Sequence, residues 1–323
     1  MDRILIVGLG SIGQRHMRNL ARRHPDAEFT VLRHRAGSHP LIKELNATVE
    51  TSLDDVLQTE FDLAVVSSPS ANHMDVLPKL IARGIDLLVE KPIVTSLQDC
   101  DTLIALLATA PKATRVSGFN FRHLPSLKQA KEKIASGALG NIVRASFSAG
   151  LWLPDWRPQQ DYREGYSADA SRGGGVEMDL VHELDVARWF FGDINLTYAM
   201  GGHLSSLDMK AHDTSAMLLR GDQGPFVHVS LDFVSRTRMR HYEVIGDKGG
   251  LVWSLDGFLH ALTPTGRTII TDKSDDFDVP QTYVSMIDDL VQNAPSLQSL
   301  EDGIASSRLA IMARDFGSHA PST

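Results

Sequence analysis

A glycine-rich turn directly follows the first strand-like run of the chain. Ile4–Val7 is uniformly apolar, and Gly8, Gly10 and Gly13 come next in the spacing G-x-G-x-x-G. The first glycine permits a tight turn, the second lets a pyrophosphate approach the backbone, and the third lets helix and strand pack closely. The N–H groups at the start of the following helix then face the anion. The N-terminal segment is therefore predicted to bind a dinucleotide.

Composition and charge narrow the class of protein. The 323 residues suffice for two domains, and 42% hydrophobic and 22% charged residues are ordinary for a globular chain. A net charge of −8 argues against nucleic-acid binding, which needs a basic surface. Cys100 is the only cysteine, so no intrachain disulfide or cysteine-based zinc site is possible, and we predict no metal site. We recognise neither a secretory signal nor a membrane-spanning run, which predicts a cytoplasmic protein without a membrane partner.

Strand-like and helix-like segments alternate in the first third of the chain. The strand-like runs are Ile4–Val7, Phe29–Leu32, Leu63–Val66, Leu87–Val89 and Arg115–Gly118. The helical patterns are Ile12–Arg23, Asp75–Arg83 and Ser96–Ala108. This alternation predicts an α/β fold built from βαβ units, with a doubly wound parallel sheet whose apolar strands are buried on both faces.

The pattern changes after about Phe119, where we place the boundary between a Rossmann domain (1–119) and a second domain (120–323). The predicted helices of the second domain are Pro125–Ser136, Val176–Phe191, Thr282–Gln292 and Glu301–Arg314, and Pro154–Gly175 is predicted to be a long ordered loop. The predicted strands are Ile142–Leu151, Ala216–Arg220, Phe226–Phe233, His241–Ile245, Gly250–Trp253 and Phe258–Leu262. Consecutive strands with short turns predict an α/β domain with a large, mainly antiparallel open sheet. Whether the last helices pack back on the first domain is left open.

The end of the second strand bears on which nicotinamide cofactor is used. An acidic residue about 20 positions beyond the glycines would bind the 2′-hydroxyl of NAD. Here the strand is followed by Arg33 and Arg35 and by no carboxylate. Guanidinium groups suit bidentate contacts to a 2′-phosphate, which favours NADP over NAD. The alternative is that both arginines are solvated loop residues and that the adenosine ribose is held in another way.

Two further segments carry side chains suited to chemistry. Lys91 follows the strand Leu87–Val89, at the sheet edge where open α/β folds bind ligands, and can donate to a substrate oxygen. If Val176–Phe191 is one helix, Asp179, His182 and Asp185 share a face, and a histidine between carboxylates suits proton transfer. The alternatives are an exposed loop lysine and a histidine that only links helices.

Five motifs occur in order along the chain. They are the glycine turn with His16, Ser67-Ser68-Pro69 with His73, Glu90-Lys91-Pro92, Gly118–Arg122 and Gly173–Asp185. Together they resemble the Gfo/Idh/MocA family, named for glucose–fructose oxidoreductase, inositol dehydrogenase and a rhizopine-pathway protein. The resemblance covers nearly the whole chain. It implies a Rossmann domain followed by an α/β domain whose open sheet often makes dimer or tetramer contacts, so a homodimer or homotetramer is expected.

The resemblance also implies an activity and the residues that perform it. The family typically transfers hydride between NAD(P) and a ring carbon of a sugar, a cyclitol or a related compound, including nucleotide-activated sugars. By this resemblance Lys91 polarises the reacting oxygen, His182 is the general acid/base, and Asp179 orients or charges it. The family commonly spaces this aspartate and histidine by four positions, whereas here they are three apart, so Asp185 stays an alternative partner. The expected cofactor-binding residues are Gly8, Gly10, Ser11, Ile12, Gly13, Arg33, Arg35, Ser67, Ser68, Pro69, His73, Glu90, Lys91, Pro92 and Asn120.

The long loop after the predicted strand Ile142–Leu151 looks like a branch of the family often encoded near genes for bacterial surface sugars. It contains Trp152–Pro158, Asp161–Arg163 and Tyr166. Its arginines and aromatic rings can bind a phosphate, a carboxylate or a sugar face, or can simply pack the loop against helices. We hypothesise that the substrate is a sugar or a nucleotide-activated sugar, neutral or anionic, and that Arg157 and Arg163 recognise part of it. The expected substrate-binding residues are Lys91, Arg122, Arg157, Tyr162, Arg163, Tyr166, Asp179 and His182.

Other functions fit the same fold. A redox-assisted glycosidase would retain NAD and recycle it, and a cofactor-sensing binding protein would keep the fold without catalysis. The presence of both Lys91 and His182 argues against the sensor, which needs neither. Reduction of a non-sugar ring compound also stays open, because fold does not identify substrate.

Overall fold

A parallel sheet and a larger mixed sheet organise the chain, which the computed structural model describes over residues 1–272, 278–294 and 296–317. The chain divides into two units. The first consists of Met1–Phe119 and Tyr283–Ala305, and the second of Asn120–Thr282 and the described residues from Ser306 onward. The predicted fold class, an α/β fold with a doubly wound parallel sheet and a second, mainly antiparallel sheet, is confirmed.

The first sheet has six parallel strands in the order β3-β2-β1-β4-β5-β6. Its strands are β1 (Arg3–Val7), β2 (Glu28–Leu32), β3 (Thr48–Glu50), β4 (Leu63–Val66), β5 (Asp86–Val89) and β6 (Arg115–Ser117). The helices of this part of the chain are α1 (Ser11–Arg23), α2 (Pro40–Glu44), α3 (Leu53–Val56), α4 (Leu77–Ala82) and α5 (Leu97–Thr109). The strand order reverses between β1 and β4, so the turns after these strands lie at the switch point where such sheets bind ligands.

Strand β3 and helices α2 and α3 are missing from the sequence-based prediction. Each contains between three and five residues. A segment this short shows neither a helical nor a strand period, so hydrophobic patterning cannot identify it. Helix α3 does carry a local signal, because the Ser52 hydroxyl caps it by accepting from the backbone N–H of Asp55.

The second sheet has eight strands in the order β14-β13-β12-β11-β7-β10-β9-β8. Its strands are β7 (Ile142–Trp152), β8 (Asn195–Gly202), β9 (Thr214–Arg220), β10 (Phe226–Asp232), β11 (Val234–Gly246), β12 (Gly250–Ser254), β13 (Leu259–Thr263) and β14 (Gly266–Thr271). Strand β7 lies inside the sheet, parallel to β10 and antiparallel to β11. The edge strands β8 and β14 are absent from the prediction, because they are largely exposed and lack clear apolar alternation.

The remaining helices are α6 (Pro125–Ala135), α7 (Leu153–Trp156), α8 (Val176–Asp179), α9 (His182–Phe191), α10 (Val279–Val291) and α11 (Leu300–Gly317). Helix α10 contributes Met286, Ile287 and Leu290 to the core of the first unit, where they pack with residues such as Ile4 and Leu63. This apolar cover explains why β1 and β4 are buried on both faces. Within the described residues, we find no helix with the length and apolar character needed to cross a bilayer.

The helix predicted over Val176–Phe191 is wrong as one continuous helix. It is interrupted at Leu180 and Val181, which separate α8 from α9. Asp179 therefore ends one helix and His182 begins the next, so they do not share one helix face. All residues from Gly173 to Ala187 are buried. The segment therefore has no exposed polar face, and the alternation of apolar and polar residues cannot show where a helix is interrupted. The loop Pro154–Gly175 likewise contains three 3₁₀ turns, at Tyr162–Glu164, Tyr166–Ala168 and Ala170–Arg172.

Candidate functional site

The glycine turn after β1 requires glycine for two different reasons. Gly8 has φ +84°, and its N–H donates to the carbonyl oxygen of Leu32 at 3.0 Å. A Cβ on Gly8 would lie 2.7 Å from the backbone of Ser68, and one on Gly13 would overlap the carbonyl oxygen of Gly8. Any larger residue would force apart the turns after β1 and β4. The packing role assigned to the third glycine is therefore visible in the structure.

The space beside Gly10 fits a bound anion. Gly10 precedes the first turn of α1, and no atom lies within 4 Å of a Cβ built on it. The Ser68 hydroxyl is buried and, among the residues that the structure describes, has no hydrogen-bond partner. An open space at the N-terminus of a helix, where backbone N–H groups lack intrahelical partners, suits a dinucleotide phosphate.

Ser67, predicted to bind cofactor, makes hydrogen bonds within the turn, and its cofactor role stays a prediction. Its hydroxyl lies 3.1 Å from the Val7 carbonyl oxygen and 2.9 Å from that of Gly8, and can donate to either. His73 acts similarly on the neighbouring residues. Its Nδ1 is 2.9 Å from the Ile93 carbonyl oxygen, its Nε2 is 3.0 Å from that of Ser68, and burial lowers its pKa. Both side chains hydrogen-bond the backbone around the turns after β1 and β4.

The residues around Lys91 are held by a buried hydrogen bond between His16 and Glu90. His16 Nε2 lies 2.7 Å from Glu90 Oε1, and the backbone N–H of Lys91 donates to Glu90 Oε2 at 3.2 Å. The His16 ring also packs edge-on against Tyr283. The Lys91–Pro92 bond that follows is cis. Both oxygens of Glu90 are thereby used to fix the backbone from which the Lys91 side chain extends.

Arg33 and Arg35 follow the last residue of β2, as predicted from the sequence. The backbone N–H of Arg33 donates to the Glu50 carbonyl oxygen, and its guanidinium makes only a long 3.4 Å contact to the Gly37 carbonyl oxygen. Arg35 is exposed. The structure therefore places two guanidinium groups at this strand end, where the carboxylate of an NAD-specific site would otherwise stand.

In the second unit, Asp179 lies near a tyrosine and an arginine from the preceding loop. Arg157 Nη2 donates to the Tyr166 hydroxyl at 3.1 Å, and its guanidinium lies over the rings of Trp156 and Tyr166. Burial and the nearby Asp179 carboxylate raise the pKa of Tyr166 well above its ordinary value, so its hydroxyl stays protonated at neutral pH. Arg157 and Tyr166, both expected to bind substrate, contact each other beside Asp179.

His182 is the first residue of α9, and its imidazole stacks on the ring of Phe121. Asp185, the alternative partner for His182, accepts from Arg122 Nε at 2.9 Å and Nη2 at 2.8 Å, and from the Ser306 hydroxyl at 3.0 Å. Arg122, expected to bind substrate, is thus committed to a buried bidentate ion pair. The roles of Asp179 and Asp185 beside His182 stay predictions.

Three other predicted site residues make contacts that do not require a ligand. The Asn120 amide donates to the Thr282 hydroxyl at 2.7 Å and is buried. Arg163 pairs with Asp161 on the surface, and the Tyr162 hydroxyl accepts from the backbone N–H of Asp208. Asn120 was predicted to bind cofactor, and Arg163 and Tyr162 were predicted to bind substrate. These roles stay predictions.

Sequence reasoning missed two buried carboxylates beside the site. Glu177 Oε1 lies 2.8 Å from His212 Nδ1, and Glu183 Oε1 accepts from the Tyr242 hydroxyl at 2.7 Å. Both carboxylates are fully buried. A signal existed, because four acidic residues occur in the otherwise apolar stretch from Val176 to Asp185, and buried carboxylates require partners. The partners themselves lie on distant strands and loops and have no local signature.

The Glu177–His212 pair predicts a pH dependence of stability. The Glu177 hydrogen bond raises the pKa of His212, despite an opposing effect of burial. Because the folded-state pKa exceeds the unfolded one, the stabilisation is fully present below the unfolded pKa and is lost as pH rises through the folded one. We expect the stability difference between wild type and His212→Asn, which does not titrate, to shrink between pH 6 and pH 8.5 in urea unfolding. An unchanged difference would contradict this.

Comparison with known proteins identifies two matched domains. Residues 3–117 match the family described as oxidoreductase family, NAD-binding Rossmann fold, and residues 127–252 match the GFO/IDH/MocA C-terminal domain. The rhizopine catabolism protein MocA of Rhizobium meliloti is 30% identical over 198 residues, which are 59% of this chain and 57% of that protein. The chain spans 57% to 59% of the length of three curated relatives that it matches.

Two further similarities cover more of the chain. The scyllo-inositol 2-dehydrogenase (NAD(+)) of Bacillus subtilis is 24% identical over 290 residues, which are 86% of this chain and 79% of that enzyme. The crystal structure of GenD2 from gentamicin A biosynthesis, in complex with NAD, has a TM-score of 0.77 at 23% identity and covers 98% of this chain and 94% of that one. At this identity the structural similarity establishes the fold.

Proposed function

The chain belongs to the Gfo/Idh/MocA family of oxidoreductases, and from that premise we propose that it is an NAD(P)-dependent dehydrogenase or reductase acting on a sugar, a sugar derivative or a cyclitol. The observation that carries the proposal is the turn after β1. Its open space beside Gly10, at the start of α1, fits the phosphates of a dinucleotide. The inositol dehydrogenase among the relatives supports a ring hydroxyl as the reacting group.

The nicotinamide, when bound, supplies the hydride acceptor or donor. Lys91 donates a hydrogen bond to the reacting substrate oxygen and stabilises the charge that develops there. His182 takes the proton of the substrate hydroxyl during oxidation and returns it during reduction. Asp179, which lies beside the Tyr166 hydroxyl, orients the imidazole of His182.

The screen that tests this function uses the purified protein with NAD, NADP and their reduced forms. Neutral sugars, sugar acids, nucleotide sugars and cyclitols are added, and absorbance of the reduced nicotinamide is followed. We expect a change with at least one ring polyol. Turnover without any net change in reduced cofactor would overturn the proposal in favour of a redox-neutral reaction, and absence of cofactor binding would remove its basis.

We propose that the cofactor is NADP, because Arg33 and Arg35 stand where an NAD-specific carboxylate would be. Removing both side chains with Arg33→Ala/Arg35→Ala is expected to weaken NADPH binding by about 10- to 100-fold, as expected for charged hydrogen bonds. NADH affinity should not change. Fluorescence titration measures both, and Arg22→Ala, which removes an exposed arginine of α1, is the control. Wild-type protein that binds NADH more tightly than NADPH would refute this preference.

We also propose a homodimer or homotetramer formed through the second sheet. Tyr198 and Met200 on β8, Leu218 on β9 and Phe226 on β10 are exposed and lie on one face of three neighbouring strands. A cluster of large apolar side chains on an open sheet is typical of a protein contact. Sedimentation velocity tests this, with Leu218→Lys expected to shift the protein toward monomer. A monomeric wild type would rule it out.

A further inference from the structure

The imidazole of His182 is held flat against an aromatic ring. The Phe121 and His182 ring centroids are 4.4 Å apart, and the ring planes differ by 11°. Phe121 is 4% exposed and His182 is 6% exposed, so the stack lies almost entirely out of solvent. An isolated imidazole turns readily about its terminal side-chain torsion, whereas a stacked one keeps a single plane.

The Phe121 ring is itself braced by strand β11. The guanidinium of Arg240 lies 4.3 Å from the Phe121 ring centroid, and its Nε is 3.3 Å from Glu183 Oε1. The same Glu183 oxygen accepts from the Tyr242 hydroxyl, whose pKa burial and Glu183 raise well above the usual value. Arg240 therefore contacts both the Phe121 ring and the Glu183 carboxylate. Tyr242 donates to the same carboxylate, and Glu183 directly follows His182 on α9.

A second contact ties the same two segments together. Phe121 and Arg122 are neighbours in the 3₁₀ turn Asn120–His123, and they contact His182 and Asp185 respectively. Positions three apart on a helix lie on adjacent turns of one face. The turn therefore contacts α9 at two points, through an aromatic stack and through an ion pair.

We propose that Phe121 is a positioning residue that sets the plane of the His182 imidazole, with Arg240 bracing the Phe121 ring. The inference rests on the proposed function, in which a ring nitrogen of His182 exchanges a proton with the substrate. Proton transfer requires that nitrogen within hydrogen-bond reach of the substrate hydroxyl and correctly directed. If the His182 imidazole were free to turn, its ring nitrogen would rarely point at the substrate hydroxyl. The contacts that other residues make with substrate and cofactor would not change.

The kinetic test compares Phe121→Leu with Phe121→Tyr. Leucine keeps an apolar side chain but removes the flat ring, and we expect kcat to fall by about 10- to 100-fold, the loss typical of small misplacement of a reacting group. KM for substrate and Kd for NADPH should stay near wild type. Phe121→Tyr, which keeps the ring, should retain most of the activity. Phe190→Leu removes the same atoms from a buried site near the other end of α9 and should leave kcat unchanged.

A second measurement reports the stack without turnover. The ring protons of His182, assigned by their loss in His182→Asn, should be shielded by the Phe121 ring current and should move downfield in Phe121→Leu. Unmoved resonances, or an unchanged kcat in Phe121→Leu with an active wild type, would overturn the inference and leave the proposed function standing. An inactive wild type with shifted resonances would instead overturn the proposed function while preserving the stack.

Discussion

Replacing His182 with asparagine is expected to lower kcat by about 10²- to 10⁴-fold, the usual contribution of a positioned general acid or base. The loss should fall on the chemical step, because asparagine cannot accept a proton near neutral pH. Dissociation constants for NADH and NADPH, measured by fluorescence titration, should stay within error of wild type. The matched control is His228→Asn, which changes an exposed histidine on β10.

The companion change, Lys91→Met, keeps the length of the side chain and removes its charge. A similar fall in kcat is expected, and the two changes together should cost less than the product of the separate losses, because they act on one step. Fully additive losses would separate the two residues into independent roles. Full turnover by either single variant would refute its assignment.

Arg122→Met is expected to lower the free energy of unfolding by about 3–5 kcal/mol, the cost of leaving a buried charge without its partner. Asp185 is fully buried, and Arg122 is its bidentate partner. Urea unfolding measures the change. Arg144→Met breaks an exposed ion pair with Glu243 and should cost about 0–1 kcal/mol.

The double variant Arg122→Met/Asp185→Leu separates the charge from the packing. Replacing a buried ion pair by apolar groups of similar volume is often neutral, so most of the stability should return. In this double variant the imidazole of His182 would still contact Phe121, but the ion pair between residues 122 and 185, one helical turn away, would be absent. A double variant as unstable as Arg122→Met would show that burial of an unpaired carboxylate is not the cause.

The parts of this fold that the sequence predicts are those governed by local rules. The spacing of Gly8, Gly10 and Gly13 specifies a turn geometry over six residues. The segment Leu63–Val66 is apolar at every position, which alone predicts a strand buried on both faces. The position of Lys91 likewise follows from the strand before it. Helix α2, with five residues, offers no such period and was not predicted.

The parts that could not be predicted depend on contacts between distant residues. The interruption between Asp179 and His182 lies in a stretch buried on all sides, where a helical period carries no information about a break. The stack of Phe121 on His182 joins residues that only the folded chain brings together. The sequence could therefore single out His182 as a candidate but not the ring that stacks on it, and it gave no signal that Arg122 pairs with the buried Asp185.

The position of β7 inside the second sheet affects how the chain folds during translation. Arg144 on β7 pairs with Phe226 on β10 and with Ile245 on β11, and both strands are synthesised long after β7. Most of the second unit must therefore leave the ribosome before β10 or β11 can pair with β7. Until then the apolar side chains of β7 are not covered by a neighbouring strand. Folding dominated by such long-range pairing is slow. The nascent second unit should accordingly need chaperone protection until β10 and β11 have been made.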